Sequence, residues 1–174
     1  MQMLQDEMRN LRQGKLSALE TIYLETKDAV FSLCLSYMRN YLLAEDMMQD
    51  TYINVRKYIA HYREDSNPKG WINTIAKNLC LNELKRRKRE QPLSEDMQIA
   101  SNYTLKAKDE SGVIQLALTI LKQSEAKIVM MHAVGDIPLK EVAELVKKPY
   151  ATVRWQYRNA LDKLKKEMEK RELI

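Results

Sequence analysis

Pro138-Leu-Lys-Glu-Val-Ala-Glu-Leu-Val-Lys-Lys-Pro-Tyr-Ala-Thr-Val-Arg-Trp-Gln-Tyr-Arg-Asn-Ala-Leu161 carries two apolar stripes separated by three residues that fit neither. Leu139, Val142, Ala143 and Val146 recur at the spacing of one helix face. Lys147-Lys148-Pro149 interrupts them, because the residue before a proline is pushed out of the helical region. From Tyr150 a second stripe runs through Val153, Tyr157, Ala160, Leu161, Leu164 and Met168. A short helix, a tight turn and a longer amphipathic helix form the pattern of a helix-turn-helix. Ala143 suits it, since a small side chain lets the first helix lie close to the second.

In such a motif the second helix enters the major groove and its outward residues meet base edges. Here those residues are Thr152, Arg154, Trp155, Arg158 and Asn159. Arg can chelate guanine and Asn can pair with adenine, each good bidentate contact discriminating by ~1–3 kcal/mol. Lys163, Lys165 and Lys166 follow and suit phosphate contacts, which hold register without reading sequence. An ordinary helical hairpin with a solvated basic face is the plainer alternative. An exposed Trp155 between Arg154 and Arg158 favours DNA.

Outward from this segment, helical patterning covers nearly all of the chain. Met1, Leu4, Met8 and Leu11 share a face, and Gly14 breaks it. One helix is expected from about Ser17 through Leu19, Ile22 and Tyr23. Another runs from about Lys27 through Val30, Leu33, Cys34 and Tyr37 to an end near Asn40. The next is the clearest, with Ala44, Met47, Met48, Thr51, Tyr52, Val55, Tyr58 and Ile59 on one stripe. Its other face holds Glu45, Asp46, Gln49, Asp50 and Asn54, a surface for a basic or polar protein partner or simply for solvent. The turn-rich stretch from His61 to Asn67 leads to Pro68, which opens a long helix. Trp71, Ile72, Ile75, Ala76 and Leu79 are its expected buried face. Asn78 and Asn82 share a second face that continues to Lys85 and Arg89. That face suits bases at one end and phosphates at the other; a solvated basic terminus is equally compatible with it. Periodicity fails over 91–111 and resumes at Val113, Ile114, Ala117, Leu118 and Leu121. Ser124 is expected to open a helix from Glu125 to Val134. The fold class is therefore all-α: two small helical domains, 1–90 and 112–174, joined by a flexible linker at 91–111.

Composition narrows the function. The 174 residues carry a net charge of +5, unevenly spread. Residues 60–90 hold 8 basic and 4 acidic side chains, and residues 138–171 hold 10 and 5, while 91–137 hold 4 and 6. Two basic blocks on separate predicted helices point to a polyanion. No 18-residue apolar run occurs and the mean hydropathy is −0.51, which excludes direct membrane insertion as an expectation. The polar N-terminal stretch lacks the apolar core of a secretory signal, so a cytoplasmic location is expected. Cys34 and Cys80 read as two buried thiols. His61 and His132 lie in separate predicted domains, and neither a carboxylate cluster nor a Gly-rich phosphate loop accompanies them. Enzyme chemistry, a cofactor, a metal and a small-molecule substrate are therefore not expected.

Three stretches of the first half, Ala44-Glu-Asp-Met-Met-Gln-Asp-Thr-Tyr52, Pro68-Lys-Gly-Trp-Ile-Asn-Thr-Ile-Ala-Lys-Asn78 and Leu84-Lys-Arg-Arg-Lys-Arg89, resemble the first conserved domain of extracytoplasmic-function (ECF) sigma factors. Lys140-Glu-Val-Ala-Glu-Leu145 and Ala151-Thr-Val-Arg-Trp-Gln-Tyr-Arg-Asn-Ala-Leu161 resemble their last domain. The motifs stand in the right order and leave out little but the linker. The resemblance implies a subunit that binds core RNA polymerase and directs promoter-specific initiation. Asp46, Gln49 and Asp50 would dock on the clamp helices of the largest polymerase subunit. The loop from His61 to Lys69 would capture a flipped base of the −10 element, with Asn78, Asn82, Lys85, Arg86 and Arg89 on the helix facing it. The last helix would read the −35 element. An anti-sigma partner is implied as well. A stand-alone helix-turn-helix regulator is the rival reading. The chain departs from the family at Lys147, where Gly is usual, and at Pro149, where Ser is frequent. It departs also at Asn82, often Asp, at Trp155, often small, and at Asn159, often Arg.

Overall fold

Thr26 sits where the sequence suggests a gap between two helices, yet one helix passes straight through it. In the computed structural model, which describes residues 2–90 and 110–171, α1 spans Gln2–Arg12 and α2 spans Ala18–Met38. Neither Gly nor Pro falls between Ile22 and Val30, so nothing in the backbone stops the helix. The apparent break is a polar residue at a buried position. The Thr26 hydroxyl lies 2.6 Å from the Ile22 carbonyl and 2.9 Å from the Tyr52 hydroxyl, so its burial is fully hydrogen-bonded. From Ser32 to Met38 every residue of α2 is buried, which makes α2 the axis of the molecule.

Helix α2 ends at Arg39, left-handed at φ 52°, whose N–H reaches back to the Leu35 carbonyl. Asn40 therefore does not close α2. It caps α3, Tyr41–Tyr58, by accepting a hydrogen bond from the Leu43 N–H at 3.0 Å. Helix α3 buries Ala44, Met47, Thr51, Tyr52 and Val55, the stripe read from the sequence. A single 3₁₀ turn, Ile59–His61, leads to α4, Pro68–Glu90. Tyr62 is buried against Trp71, ring centroids 5.4 Å apart, and its hydroxyl bonds the Ser66 carbonyl. That pair shapes the loop before α4.

Helix α5, Glu110–Ile120, starts inside the last two residues of the expected linker, whose remainder lies outside the described residues. Helix α6, Gln123–Val129, begins earlier than expected. Ser124 is not its cap: the Glu125 carboxylate turns back to accept from the Lys122 N–H at 3.2 Å. A π turn, Met130–Val134, follows, then α7, Leu139–Val146, and α8, Tyr150–Lys170.

One apolar cluster draws on both sides of 91–109. It joins Leu4, Ile22, Leu33, Val55, Ile72 and Cys80 to Ile128, Met131, Ile137, Val142 and Val153. A smaller cluster lies among α5, α6 and α8, around Leu116, Leu121, Ala160 and Leu164. The seam between the early and late helices has three fixed points. Asn73 of α4, only 2% exposed, donates to Glu141 of α7 at 3.0 Å. Lys127 of α6 places its ammonium 4.0 Å from the centre of the Tyr37 ring. Gly135 lies so close to α2 that a Cβ there would come within 2.9 Å of the Ser32 Cβ.

Candidate nucleic-acid interface

Helices α7 and α8 are joined by Lys147, Lys148 and Pro149 alone. Lys147 is left-handed at φ 55°, and its N–H, with that of Lys148, ties off the last carbonyls of α7. This backbone is the one glycine adopts without cost, so the lysine carries mild strain there. Pro149 offers no side-chain cap to α8, but its carbonyl accepts from the Val153 N–H. Ala143 and Val153 are buried where the two helices meet.

The exposed side of α8 presents Thr152, Arg154, Trp155 and Arg158 together. Trp155 is 65% exposed, the most open large apolar side chain among the described residues. Two other sequence-predicted residues are held elsewhere. Glu125 is 5% exposed and draws in Lys163 at 2.6 Å and Asn159 at 3.3 Å. Burial raises the Glu125 pKa, but the Lys163 ammonium and the Lys122 N–H outweigh it and leave the carboxyl below its ordinary value. Lys165 and Lys166 are exposed, the former in a loose 3.8 Å contact with Glu169. Leu161, expected on the inner stripe, is 39% exposed, because the buried line of α8 runs Val153, Ala160, Leu164 and leaves Leu161 one position outside it.

On α4, Asn78, Asn82, Lys85, Arg86 and Arg89 are all exposed. Arg86 is engaged within its own helix: it grips Glu83 at 2.7 Å and Glu90 at 2.8 Å, while Arg87 takes Glu83 at 2.7 Å. The Arg86 guanidinium, together with Arg87, holds the Glu83 carboxyl down at about 2 against the opposing pull of burial. Among the described residues Lys85 and Lys88 make no ion pair, and Arg89 makes one side-chain hydrogen bond, to the Lys85 carbonyl at 3.4 Å. An open groove between α3 and α4 brings Asp50 beside Asn82, Glu83 and Arg89. Asp46, Gln49 and Asp50 are exposed, as is His61, whose ring meets Tyr58 edge-on.

Sequence reading did not single out Asn73, Glu125, Gly135 or Glu141. Only Asn73 carried a signal, as an amide on the apolar side of α4. Lys77 and Lys147 face each other across the seam; burial and then Lys147 push the Lys77 pKa down. Cys34 and Cys80 are free and buried, and the neighbouring Cys80 thiol, with burial, raises Cys34 far above an ordinary thiol. Among the described residues no group of three or more His, Cys, Asp or Glu side chains could hold a metal ion. No described helix is long and apolar enough to cross a membrane.

Comparison with known proteins places this arrangement. Residues 22–90 match the family model of sigma-70 region 2. Across an alignment of 183 residues the chain is 23% identical to SigW, an ECF RNA polymerase sigma factor of Bacillus subtilis (strain 168), covering 95% of this chain and 97% of that one. SigM, an ECF RNA polymerase sigma factor of the same organism, is 28% identical over 79 residues, 45% of this chain and 48% of its own. The fold matches that of the sigma factor RpoE from Bartonella quintana, solved with the anti-sigma factor NepR. That match has a TM-score of 0.70 at 19% identity over 86% of this chain and 96% of that one. CnrH, solved with the cytosolic domain of CnrY, also gives 0.70, at 14% identity over 96% and 97%. The all-α architecture, the match of residues 22–90 to sigma-70 region 2 and the end-to-end similarity to SigW agree: over nearly its whole length the chain is similar to ECF RNA polymerase sigma factors.

Proposed function

We propose that the chain binds core RNA polymerase and directs it to promoters by reading a −10 and a −35 element, helping to open the duplex. Asp46, Gln49 and Asp50 form the polymerase-docking face on α3, against the clamp helices of the largest subunit. Asn78 and Asn82, with His61 of the preceding loop, meet the opened −10 strand, and Lys85 and Arg89 hold its phosphates. Helices α7 and α8 act as a helix-turn-helix at the −35 element. Thr152, Arg154, Trp155 and Arg158 face the bases there, and Lys165 and Lys166 hold the backbone. The single observation that carries this reading is the cluster of Arg154, Trp155 and Arg158, open to solvent on the helix after the α7 turn. A large aromatic between two guanidinium groups has no use for water.

Reading both elements requires the seam to part. The two elements lie about 25 base pairs apart, roughly 85 Å at about 3.4 Å per pair. A compact chain of this length is only about 40 Å across. We infer that residues 1–90 and 112–174 act as two units that separate on the polymerase. One solved relative is bound to an anti-sigma factor and another to the cytosolic domain of CnrY, which supports an anti-sigma partner here as well.

Run-off transcription with purified core polymerase is the test. A promoter-specific product that appears only when the chain is added is the expected result. If no cognate template yields one, and the free chain alone shifts a specific duplex in a gel, it is a stand-alone regulator instead.

A further inference from the structure

Three hydrogen bonds converge on one buried carboxylate beneath the basic helix. Glu125 lies in the first turn of α6 and is 5% exposed. Its Oε2 caps α6 through the Lys122 N–H. Its Oε1 takes the Lys163 ammonium at 2.6 Å and the Asn159 amide at 3.3 Å. Asn159 and Lys163 are four residues apart, so the contacts pin two successive turns of α8 from below. We infer that Glu125 is a positioning residue for DNA recognition: it withholds Lys163 and Asn159 from the nucleic acid and confines the reading face to Thr152, Arg154, Trp155 and Arg158. This inference rests on the proposal that α8 binds DNA.

The physical reason lies in what Lys163 would leave behind. An exposed ion pair exchanges freely with water and with phosphates. The Glu125 carboxylate is instead buried between α6 and α8, the helices that share the smaller apolar cluster, and its partners are the Lys122 N–H, Asn159 and Lys163. A lysine leaving for a phosphate would strand a buried negative charge, which is far costlier than losing a surface pair. Lys165 and Lys166 have no such tie and lie on the open side of the helix. Three lysines within four residues of sequence are thus divided, two available to phosphates and one structural.

The dependence of DNA affinity on salt tests this, because each phosphate contact adds about 0.9 to the slope of log affinity against log salt. The full chain is titrated onto a mixed-sequence duplex of about 30 base pairs, by fluorescence anisotropy, between about 50 and about 200 mM salt. Lys163→Gln is expected to leave the slope of the natural chain unchanged. Glu125→Gln keeps the side-chain shape and an acceptor for Asn159 but frees Lys163. It is expected to steepen the slope by about one contact, an extra loss of about 3.5-fold in affinity across that range. Adding Lys163→Gln to Glu125→Gln is expected to restore the original slope, a rescue that a merely structural role for Glu125 would not produce. Lys165→Gln with Lys166→Gln should flatten the slope in every background. If those two flatten it and Lys163→Gln does as well, Lys163 is a phosphate anchor and this inference fails alone. If none of the three lysines affects the slope, α8 is not the DNA helix, and the proposed function fails with it.

Discussion

Glu83 engages two guanidinium groups at once on an exposed helix, and that single carboxylate changes what the basic end of α4 can do. Five consecutive cations, Lys85 to Arg89, read in the sequence as one positive patch. The fold subtracts Arg86 and Arg87 from it through Glu83 and Glu90. Glu83 has its carboxyl depressed from an ordinary 4.5 to about 2, so its contribution to stability is complete above 4.5 and is lost as pH falls toward about 2. The expected outcome is that amide protons of Lys85 to Arg89 exchange faster as pH drops through that window, after correction for intrinsic rates. Glu83→Gln should abolish the dependence. Which residues would be exposed was legible, since Trp155, Arg158, Asn78 and Asn82 all follow from helical phase. Which of them would be engaged was not, because ion pairs depend on side chains three, four or dozens of residues away. Glu125 lies 38 positions before Lys163, and no periodicity links them.

Helices were the best-read level of the structure. Stripes, a proline start and a turn at Lys147 all follow from local chemistry. Two of the departures concern small polar residues. Thr26 and Ser124 look like breakers or caps, but tertiary partners satisfy the first within a continuous helix and Glu125 replaces the second. The left-handed Lys147 gives a test at this scale. Lys147→Gly should relieve the backbone and the repulsion with Lys77, at the cost of greater freedom when unfolded. A net gain of about 0.5–1 kcal/mol is expected in urea unfolding. Within the proposed −35 helix, Arg154→Ala or Arg158→Ala should lose ~1–3 kcal/mol of discrimination at one or two base pairs. Selection of bound sequences from a randomised duplex pool in the presence of core polymerase would show which pairs relax.

At the scale of the molecule, the larger cluster spans both halves of the chain, whereas the sequence divides the chain into two helical units and leaves open how they pack. The reason is that the seam is built from single residues too sparse to make a pattern: an asparagine, a glutamate, a glycine, a lysine over a ring. Glu141→Ala should cost about 1–3 kcal/mol, because Asn73 would keep a buried amide without its acceptor. Gly135→Ala should cost a similar 1–3 kcal/mol, since its Cβ would lie 2.9 Å from both the Met131 carbonyl and the Ser32 side chain. Thermal unfolding measures both costs, and small-angle scattering should show a larger radius for each variant.

The tight approach of Gly135 to α2 also sets a condition on any extended form. Pulling the π turn away from that helix wets Met131, Ile137 and Val142, which are now dry. A chain stretched along a promoter must therefore be clothed by another protein at those positions, and one that opens unaccompanied is expected to stick to its own kind.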